Sequence, residues 1–304
     1  MMTRPTPELQ SPARHRLRRT MLLTPGNQLG RLEKATQLDV DCVVFDLEDG
    51  VAPNDKALAR ETINTALARF DFEFRERLVR VNAIGTPEFN ADMAALSFDN
   101  VDALFIPKVE AAWQLVELDK TLKDVEQRLG KGRTIDVVAT IETPRGLLNA
   151  LAIVDATQRT SALFFGSGDY AAATGSATTA RAFEYPRATI AAAAGAADLQ
   201  AIDAAYFAAV KDAEATRADA MLGRELGFDG KIIFHPNQVA PCNEVFSPTE
   251  AEVARSRRIV EAHSAAVADG RGVAYVDGTF LAIDIVLMAE RVLRKADLIA
   301  ARSV

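Results

Sequence analysis

The sequence predicts a single (β/α)₈ TIM barrel with a C-terminal helical extension, and three observations carry that expectation. Eight short apolar runs rich in β-branched residues alternate with helical segments. No shift in composition separates one half of the barrel region from the other. The turn after the first strand, PGNQLG (Pro25–Gly30), lacks the glycine spacing of a dinucleotide-binding unit, which argues against a doubly wound open sheet. The expected division is a flexible tail over 1–16, a barrel over 17–246 and an extension over 247–304, packing on the barrel or on a neighbouring subunit.

The strands follow in order. Met21–Thr24 (MLLT) is closed by Pro25-Gly26-Asn27, and Gln28–Leu38 then has helical spacing through Leu29, Leu32 and Ala35. Cys42–Leu47 is the second strand, tipped by Glu48-Asp49-Gly50, and Pro53 opens a helix reaching Phe70. Leu78–Asn82 is the third, with Arg80 in its middle. Ala103–Pro107 is the fourth and leads through Lys108 to a helix over Glu110–Leu129. Val137–Glu142 precedes a helical segment Arg145–Thr157, and Ala162–Gly166 is the sixth strand. An Ala-rich helix Arg187–Ala197 precedes the seventh, Ala201–Phe207, and Lys231–Phe234 is the eighth. In the extension, Ser247-Pro248-Thr249-Glu250 reads as a helix start with Ser247 as cap. That helix runs to about Ala268, VAYVDGTF forms a small hairpin, and a last helix begins near Ile285.

The chain has 304 residues, a net charge of −7 and a pI near 5.2, which exclude general binding to nucleic acid or to an anionic membrane. No apolar stretch is long enough to cross a bilayer, and the first twenty residues lack the apolar core of a signal peptide. Cys42 and Cys242 have no metal-ligand spacing and no disulfide framework, so a reducing cytoplasm is expected. Arg14, Arg16, Arg18 and Arg19 remain available to an anion.

A TIM barrel carries its site at the C-terminal ends of its strands. The polar groups expected there are Thr24, Asp46, Glu48, Asp49, Arg80, Lys108, Glu142, Asp169 and His235. Glu142 ends a buried strand, and Asp169 follows the next one through two glycines. Each alone reads equally well as a helix-start acid; together, on adjacent strands, they favour a hard divalent cation such as Mg²⁺. Three histidines, none near another in sequence, make a His-based site improbable. Arg80 in an apolar strand needs a partner. That partner is either Asp46 or Glu48, in a structural salt bridge, or a substrate carboxylate or carbonyl gripped in bidentate fashion. Glu48 and Asp49 suit the orientation of metal-bound water. No G-x-S-x-G, P-loop, H-E-x-x-H or C-x-x-C is present.

LTPGN (Leu23–Asn27), VVFDLEDGV (Val43–Val51), VRVN (Val79–Asn82), PKVE (Pro107–Glu110), IETPRG (Ile141–Gly146), FGSGD (Phe165–Asp169) and GFDGKIIFHPNQ (Gly227–Gln238) together resemble the citrate-lyase β-subunit-like family of the HpcH/HpaI aldolase superfamily. That family includes malyl-CoA, citramalyl-CoA and citryl-thioester lyases. The resemblance implies a homotrimeric or homohexameric barrel, with Mg²⁺ on Glu142 and Asp169 and Arg80 on the substrate. It implies cleavage of a 3-hydroxyacyl dicarboxylic thioester into a 2-oxoacid and an acyl thioester carried by CoA or an acyl-carrier protein. Substrate contacts are expected from Arg80, Glu142, Gly168 and Thr24, and a CoA contact from Arg19. Glu48 and Asp49 fall where pyruvate-type aldolases carry Glu-His, and Asp49 argues against that branch.

One departure stands out. Many members end in G-K-M-[IV]-D-x-P, whose Asp, from a neighbouring subunit, handles the proton on the thioester α-carbon. The aligned position here is Ala282, with Asp284 two residues on. Asp284 is therefore either a substitute acid or the N-cap of the last helix, and a chain without that acid would bind metal and oxoacid with impaired catalysis. A subunit of a larger citrate lyase complex is a further alternative.

Overall fold

The computed structural model describes residues 16–130, 134–270 and 275–302. Eight parallel strands close a barrel in sequence order: β1 (Thr20–Pro25), β2 (Cys42–Asp46), β3 (Glu76–Arg80), β4 (Ala103–Ile106), β5 (Asp136–Ile141), β6 (Thr160–Phe165), β7 (Gln200–Asp203) and β8 (Gly230–Ile233), which pairs back with β1. Between them run α1 (Leu29–Ala35), α2 (Lys56–Arg69), α3 (Pro87–Ala95), α4 (Ala112–Leu129), α5 (Pro144–Leu148), α6 (Ala150–Val154), α7 (Ser167–Thr174), α8 (Ala180–Ala196) and α9 (Ala213–Glu225), with α10 (Val239–Val245) after β8. The expected β/α alternation is present. Two of the connections, after β5 and after β6, each carry two helices where one was expected.

Alternation along the strands fills the interior. Met21, Cys42, Val44, Leu78, Ala103, Phe105, Val138, Ala162, Phe164, Ile202 and Ile232 form one buried cluster. Residues two apart on a strand share a face. Asp46, Arg80, Thr140, Glu142 and Gly166 therefore continue that inward face at the C-terminal end of the barrel. The apolar core ends where the charged layer begins.

The opposite end is closed by charge as well. Arg18 is fully buried; its Nε and Nη2 donate to Glu76 at 2.7 and 2.8 Å, and its Nη1 to Ser161 at 2.9 Å. Burial pushes the Glu76 carboxyl up, but the Arg18 guanidinium outweighs it and holds the group below its ordinary value. Arg16 bridges Glu76 and Asp136 at 3.3 and 3.1 Å. Arg19 donates from its backbone, Nε and Nη2 to Asp41. Gly230 has to be glycine here, because a Cβ would stand 1.8 Å from the Arg18 carbonyl oxygen. A second buried network lies between β7, β8, α8 and α9, where Lys231 meets Asp203 and Asp219 at 2.5 and 2.6 Å and Arg187 meets the same two carboxylates. Two cations facing two carboxylates are charge-balanced.

The chain divides into two compact units between Glu244 and Val245. In the second, α11 (Glu250–Ala268) packs on α12 (Ile283–Arg302) around Ile259, Ala266, Leu281, Val286 and Ala289, with the hairpin β9 (Tyr275–Val276) and β10 (Thr279–Phe280) between them. The cap of α11 is Thr249, not Ser247. Thr249 Oγ1 accepts from Glu252 N while Glu252 accepts from Thr249 N, a reciprocal pair that Ser247 is two residues too early to form. α8 begins at Ala180 rather than at Arg187. The Thr179 side chain caps it, and buried Phe183, Arg187 and Ile190 hold the helix through Pro186. The expected tail lies outside the described residues apart from Arg16. Among the described residues no helix is long and apolar enough to cross a membrane.

Removing Arg18 leaves buried Glu76 only its longer ion pair to half-buried Arg16 among the described residues. Arg18→Met is expected to lower unfolding stability by about 3–5 kcal/mol, read from urea melts, and Arg18→Met/Glu76→Gln is expected to recover part of that loss.

Candidate active site

Asp46 organises the mouth. Its side chain accepts from Arg80 Nε and Nη2 at 2.7 and 2.6 Å and from the backbone N–H groups of Glu48 and Gly50 at 2.8 and 2.9 Å. Its backbone carbonyl accepts from Gly26 at 2.9 Å, so the tip of β1 is fastened to the tip of β2. A Cβ at Gly50 would lie 2.2 Å from Asp46 Oδ2 and one at Gly26 would lie 2.6 Å from the Asp46 carbonyl, so both approaches need glycine. Arg80 Nη1 stands 3.0 Å from Glu48 Oε2. Of the two partners expected for Arg80 within the chain, both are present. Three of its five N–H donors are taken by these contacts, leaving two for a ligand.

Around this pair the backbone of the loop after β2 is held from behind. Lys56 Nζ donates to the carbonyls of Leu47 and Glu48 at 2.6 and 2.8 Å and to Asn82 Oδ1 at 2.7 Å. Asn82 in turn donates to Leu47 O and to buried Asp92, which also takes Arg60 Nε. None of Lys56, Asn82, Asp92 and Arg60 drew a role from the sequence; only the cationic Lys56 three residues after Pro53 could have signalled one.

Glu142 is buried at 3% exposure and is fixed from one side. Its Oε1 accepts the backbone N–H of Lys108 at 2.7 Å, an orientation made by a left-handed Lys108 with φ of +53°. Its other side leans over Gly166, where a Cβ would stand 2.4 Å from Glu142 Cβ and 2.5 Å from Oε2. Burial, then the charges of Glu48 and Asp169, push the Glu142 carboxyl up to about 8, against the pull of the Lys108 N–H and Arg80. Burial likewise raises Glu48. Asp169 lies exposed in the first turn of α7, next to Gly168, where a Cβ would meet only open space. Lys108 Nζ sits 3.1 Å from Glu48 Oε1 and 3.9 Å from Asp49, whose side chain is 66% exposed at the rim.

The charges do not balance. Asp46, Glu48, Glu142 and Asp169 face Arg80 and Lys108, a net of −2 when all are ionised. Below Glu142 on the same inward face, Thr140 Oγ1 is buried with no partner among the described residues. Carboxylate and hydroxyl oxygens around an excess of two negative charges fit a hard divalent cation of the Mg²⁺ type. Glu142 and Asp169, near enough for the charge of one to act on the other, could hold one. No group of three or more His, Cys, Asp or Glu converges among the described residues, so water and substrate would complete the coordination.

The remaining expected residues are distributed as follows. Thr24 is buried at the end of β1, and His235 caps the turn Pro236–Gln238 by accepting from Asn237 N. Arg19, expected at CoA, is buried before β1 at the far end of the barrel with its guanidinium on Asp41; Arg16 and Arg18 are likewise engaged there. The run of arginines reads as an anion site only while its carboxylate partners, distant in sequence, are unseen. Arg14 lies outside the described residues. Asp284 is an exposed residue in the first turn of α12 and not its cap, because Ala282 supplies the carbonyl that accepts from Ile285 and Val286.

Comparison with known proteins gives the chain a family. The family model described as HpcH/HpaI aldolase/citrate lyase matches residues 19–236. The chain is 37% identical over 285 residues to a (3S)-malyl-CoA thioesterase of Cereibacter sphaeroides, covering 93% of this chain and 96% of the relative. It is 32% identical to an L-malyl-CoA/beta-methylmalyl-CoA lyase of Rhodobacter capsulatus, covering 95% and 98%. The crystal structure of CitE from Mycobacterium tuberculosis in complex with magnesium, acetoacetate and coenzyme A superposes with a TM-score of 0.73 at 28% identity, covering 93% and 99%.

A carboxyl that keeps its proton to about 8 when folded but only to about 4.5 when unfolded destabilises the metal-free fold as pH rises between those values. The slope is about 1.4 kcal/mol per pH unit for one proton. Melts of metal-free protein are therefore expected to fall from pH 6 to pH 8, and added Mg²⁺ to raise the melting temperature more at pH 8 than at pH 6. Glu142→Gln is expected to remove both trends. Gly166→Ala, by displacing Glu142, is expected to weaken Mg²⁺ binding at least tenfold in calorimetry while far-ultraviolet circular dichroism stays unchanged.

Proposed function

Because the chain belongs to the HpcH/HpaI aldolase/citrate lyase family, we propose that it is a Mg²⁺-dependent carbon–carbon lyase for a short 3-hydroxyacyl dicarboxylic thioester, such as (S)-citramalyl-CoA or malyl-CoA. The observation that carries this reading is the excess of carboxylate beside an arginine with two free donors at the strand tips. Cleavage removes the hydroxyl proton, breaks the bond between the carbinol carbon and the α-carbon, and sends that electron pair into the thioester as an enolate. The α-carbon then takes a proton, giving a 2-oxoacid and an acyl thioester.

Bound Mg²⁺ would supply Lewis-acid polarisation of the hydroxyl and carboxylate oxygens. Arg80, fixed on Asp46 and Glu48, directs its remaining N–H groups at the substrate oxygen where negative charge gathers. Because those contacts pre-orient the guanidinium, little reorganisation accompanies the charge shift. Glu48 holds both Arg80 and Lys108, so it orients cations and is not itself free. Gly168 leaves open space beside Asp169, whereas Thr24 lies off the inward face that Met21 and Leu23 share on β1. Asp284 of a neighbouring subunit is the acid proposed for the α-carbon, in place of the family's aspartate whose position is Ala282 here.

A thioesterase reading is favoured by one specific observation, the 37% identity to a malyl-CoA thioesterase together with alanine at 282. One assay separates the two. With malyl-CoA or citramalyl-CoA and Mg²⁺, a lyase releases glyoxylate or pyruvate and no free thiol. A thioesterase releases thiol and neither oxoacid; thiol without oxoacid, or neither product, on both esters overturns the lyase proposal. Arg80→Lys keeps the charge but loses the fork, and oxoacid release is expected to fall about 10²–10³-fold in kcat/KM. Asp284→Ala is expected to slow deuterium incorporation at the acyl α-carbon from D₂O about 10²-fold or more; an unchanged rate removes Asp284 from the mechanism.

A further inference from the structure

Resting on the reading of Arg80 as the arginine that meets the substrate, we propose that Lys56 is a positioning residue for it. Lys56 grips the loop after β2 from behind and so sets where the two unused N–H groups of Arg80 point. It is the first residue of α2. Its Nζ donates to Leu47 O at 2.6 Å, to Glu48 O at 2.8 Å and to Asn82 Oδ1 at 2.7 Å. An ammonium has three N–H donors, so all of them are spent. Every acceptor is a neutral oxygen, and Lys56 makes no ion pair among the described residues. A cation used in this way acts through geometry and not through a charge partner.

The loop is held from two sides. Its N–H groups at Glu48 and Gly50 turn to Asp46, and its carbonyls at Leu47 and Glu48 turn to Lys56. Asn82 stands two residues beyond Arg80, so one ammonium ties together the tips of the strands that carry Asp46 and Arg80. Arg60, four residues along the same face of α2, donates to Asp92, which accepts from both N and Nδ2 of Asn82. What the grip places is Glu48, whose carboxylate stands 3.0 Å from Arg80 Nη1 and 3.1 Å from Lys108 Nζ. The backbone of one residue meets Lys56 and its side chain meets Arg80.

Each gripped carbonyl also has a longer partner. Asn82 Nδ2 reaches Leu47 O at 3.1 Å, and Val51 N reaches Glu48 O at 3.1 Å. A chain without Lys56 therefore keeps the outline of the loop and loses its shortest constraints. The consequence is a misplaced Glu48 in a folded barrel.

The test is a double-mutant cycle on the full chain, read by calorimetry with oxalate in saturating Mg²⁺. Lys56→Met is expected to weaken oxalate binding about tenfold with Arg80 in place and about twofold or less beside Arg80→Lys, because the loss runs through the guanidinium. Binding of Mg²⁺ alone is expected to change by about twofold or less, since the grip does not touch Glu142 or Asp169. Lys56→Arg, which keeps donors, is expected to recover oxalate binding to within about threefold of the wild type. In oxoacid release from malyl-CoA, Lys56→Met is expected to lower kcat about 10- to 100-fold. The proposal is overturned if oxalate binding is absent from the wild type, is unchanged in Lys56→Met, falls equally in both backgrounds, or falls only as Mg²⁺ binding falls. Should Lys56→Met fail to fold, Lys56→Gln takes its place in the cycle. A wild type that binds oxalate yet cleaves neither ester removes the lyase reading, and the cycle still decides the role of Lys56.

Discussion

The bidentate bond between Asp46 and Arg80 is the constraint from which the rest of the mouth follows. A guanidinium on the inward face of a barrel strand has lost most of its water and cannot stay unpaired. Asp46, one strand over in register, meets it. Asp46 has acceptor capacity left, and the loop after β2 uses it by turning two backbone N–H groups onto the carboxylate. That turn fixes Gly50 as a residue without a side chain and directs Glu48 back over Arg80. The same residue's carbonyl fastens Gly26. Three strand tips are thus held by one aspartate, and a shift in any of them moves the donors that Arg80 has left.

Glu142 presents the opposite case. Its carboxylate is buried without a side-chain cation in contact; one backbone N–H from a left-handed lysine steadies one oxygen, and nearby anions act on the other side. A non-glycine residue at positive φ costs free energy that helix or strand formation does not return. The placement of Lys108 makes sense as the means of aiming that N–H, while its ammonium turns to Glu48. The site is stable as a protonated or cation-bound arrangement and strained as a bare cluster of anions. The divalent cation proposed for this site would relieve that strain.

Much of this was legible before any coordinates. The strands declare themselves because a parallel barrel buries both faces, so each is a near-continuous apolar run, and any acid at its tip stands out. Glu142, Asp169 and Arg80 are legible for that reason. What the sequence conceals is partnership. Arg18 and Arg19 beside the first strand look like an anion site, yet Glu76 and Asp41 occupy them from 58 and 22 residues away. Asp203, Lys231, Arg187 and Asp219 form a closed network whose members are scattered along the last third of the barrel. The left-handed backbone at Lys108 has no signature, since nothing in PKVE calls for positive φ. A helix end stays hidden where two hydroxyl residues stand close together, as at Ser247 and Thr249, because hydrogen-bond reciprocity decides between them and composition does not.

The two ends of the barrel use charge for different purposes, and the difference is one of satisfaction. At the floor every described arginine meets a carboxylate at ion-pairing distance, and hydroxyl and amide groups take the remaining donors of Arg18. Such a network leaves its arginines little capacity for a ligand and helps seal the barrel, although Thr160 Oγ1 at the start of β6 is buried there without a partner among the described residues. At the mouth the network is open. Arg80 keeps two donors, Thr140 keeps a hydroxyl, Glu142 keeps an oxygen over Gly166, and the charge sum is negative. Unsatisfied groups cost stability wherever they are buried, so a chain carries them where binding repays the cost. By that criterion the mouth is the candidate reactive end, and what its residues lack has the sign and the hardness of the divalent cation and oxyacid proposed for it.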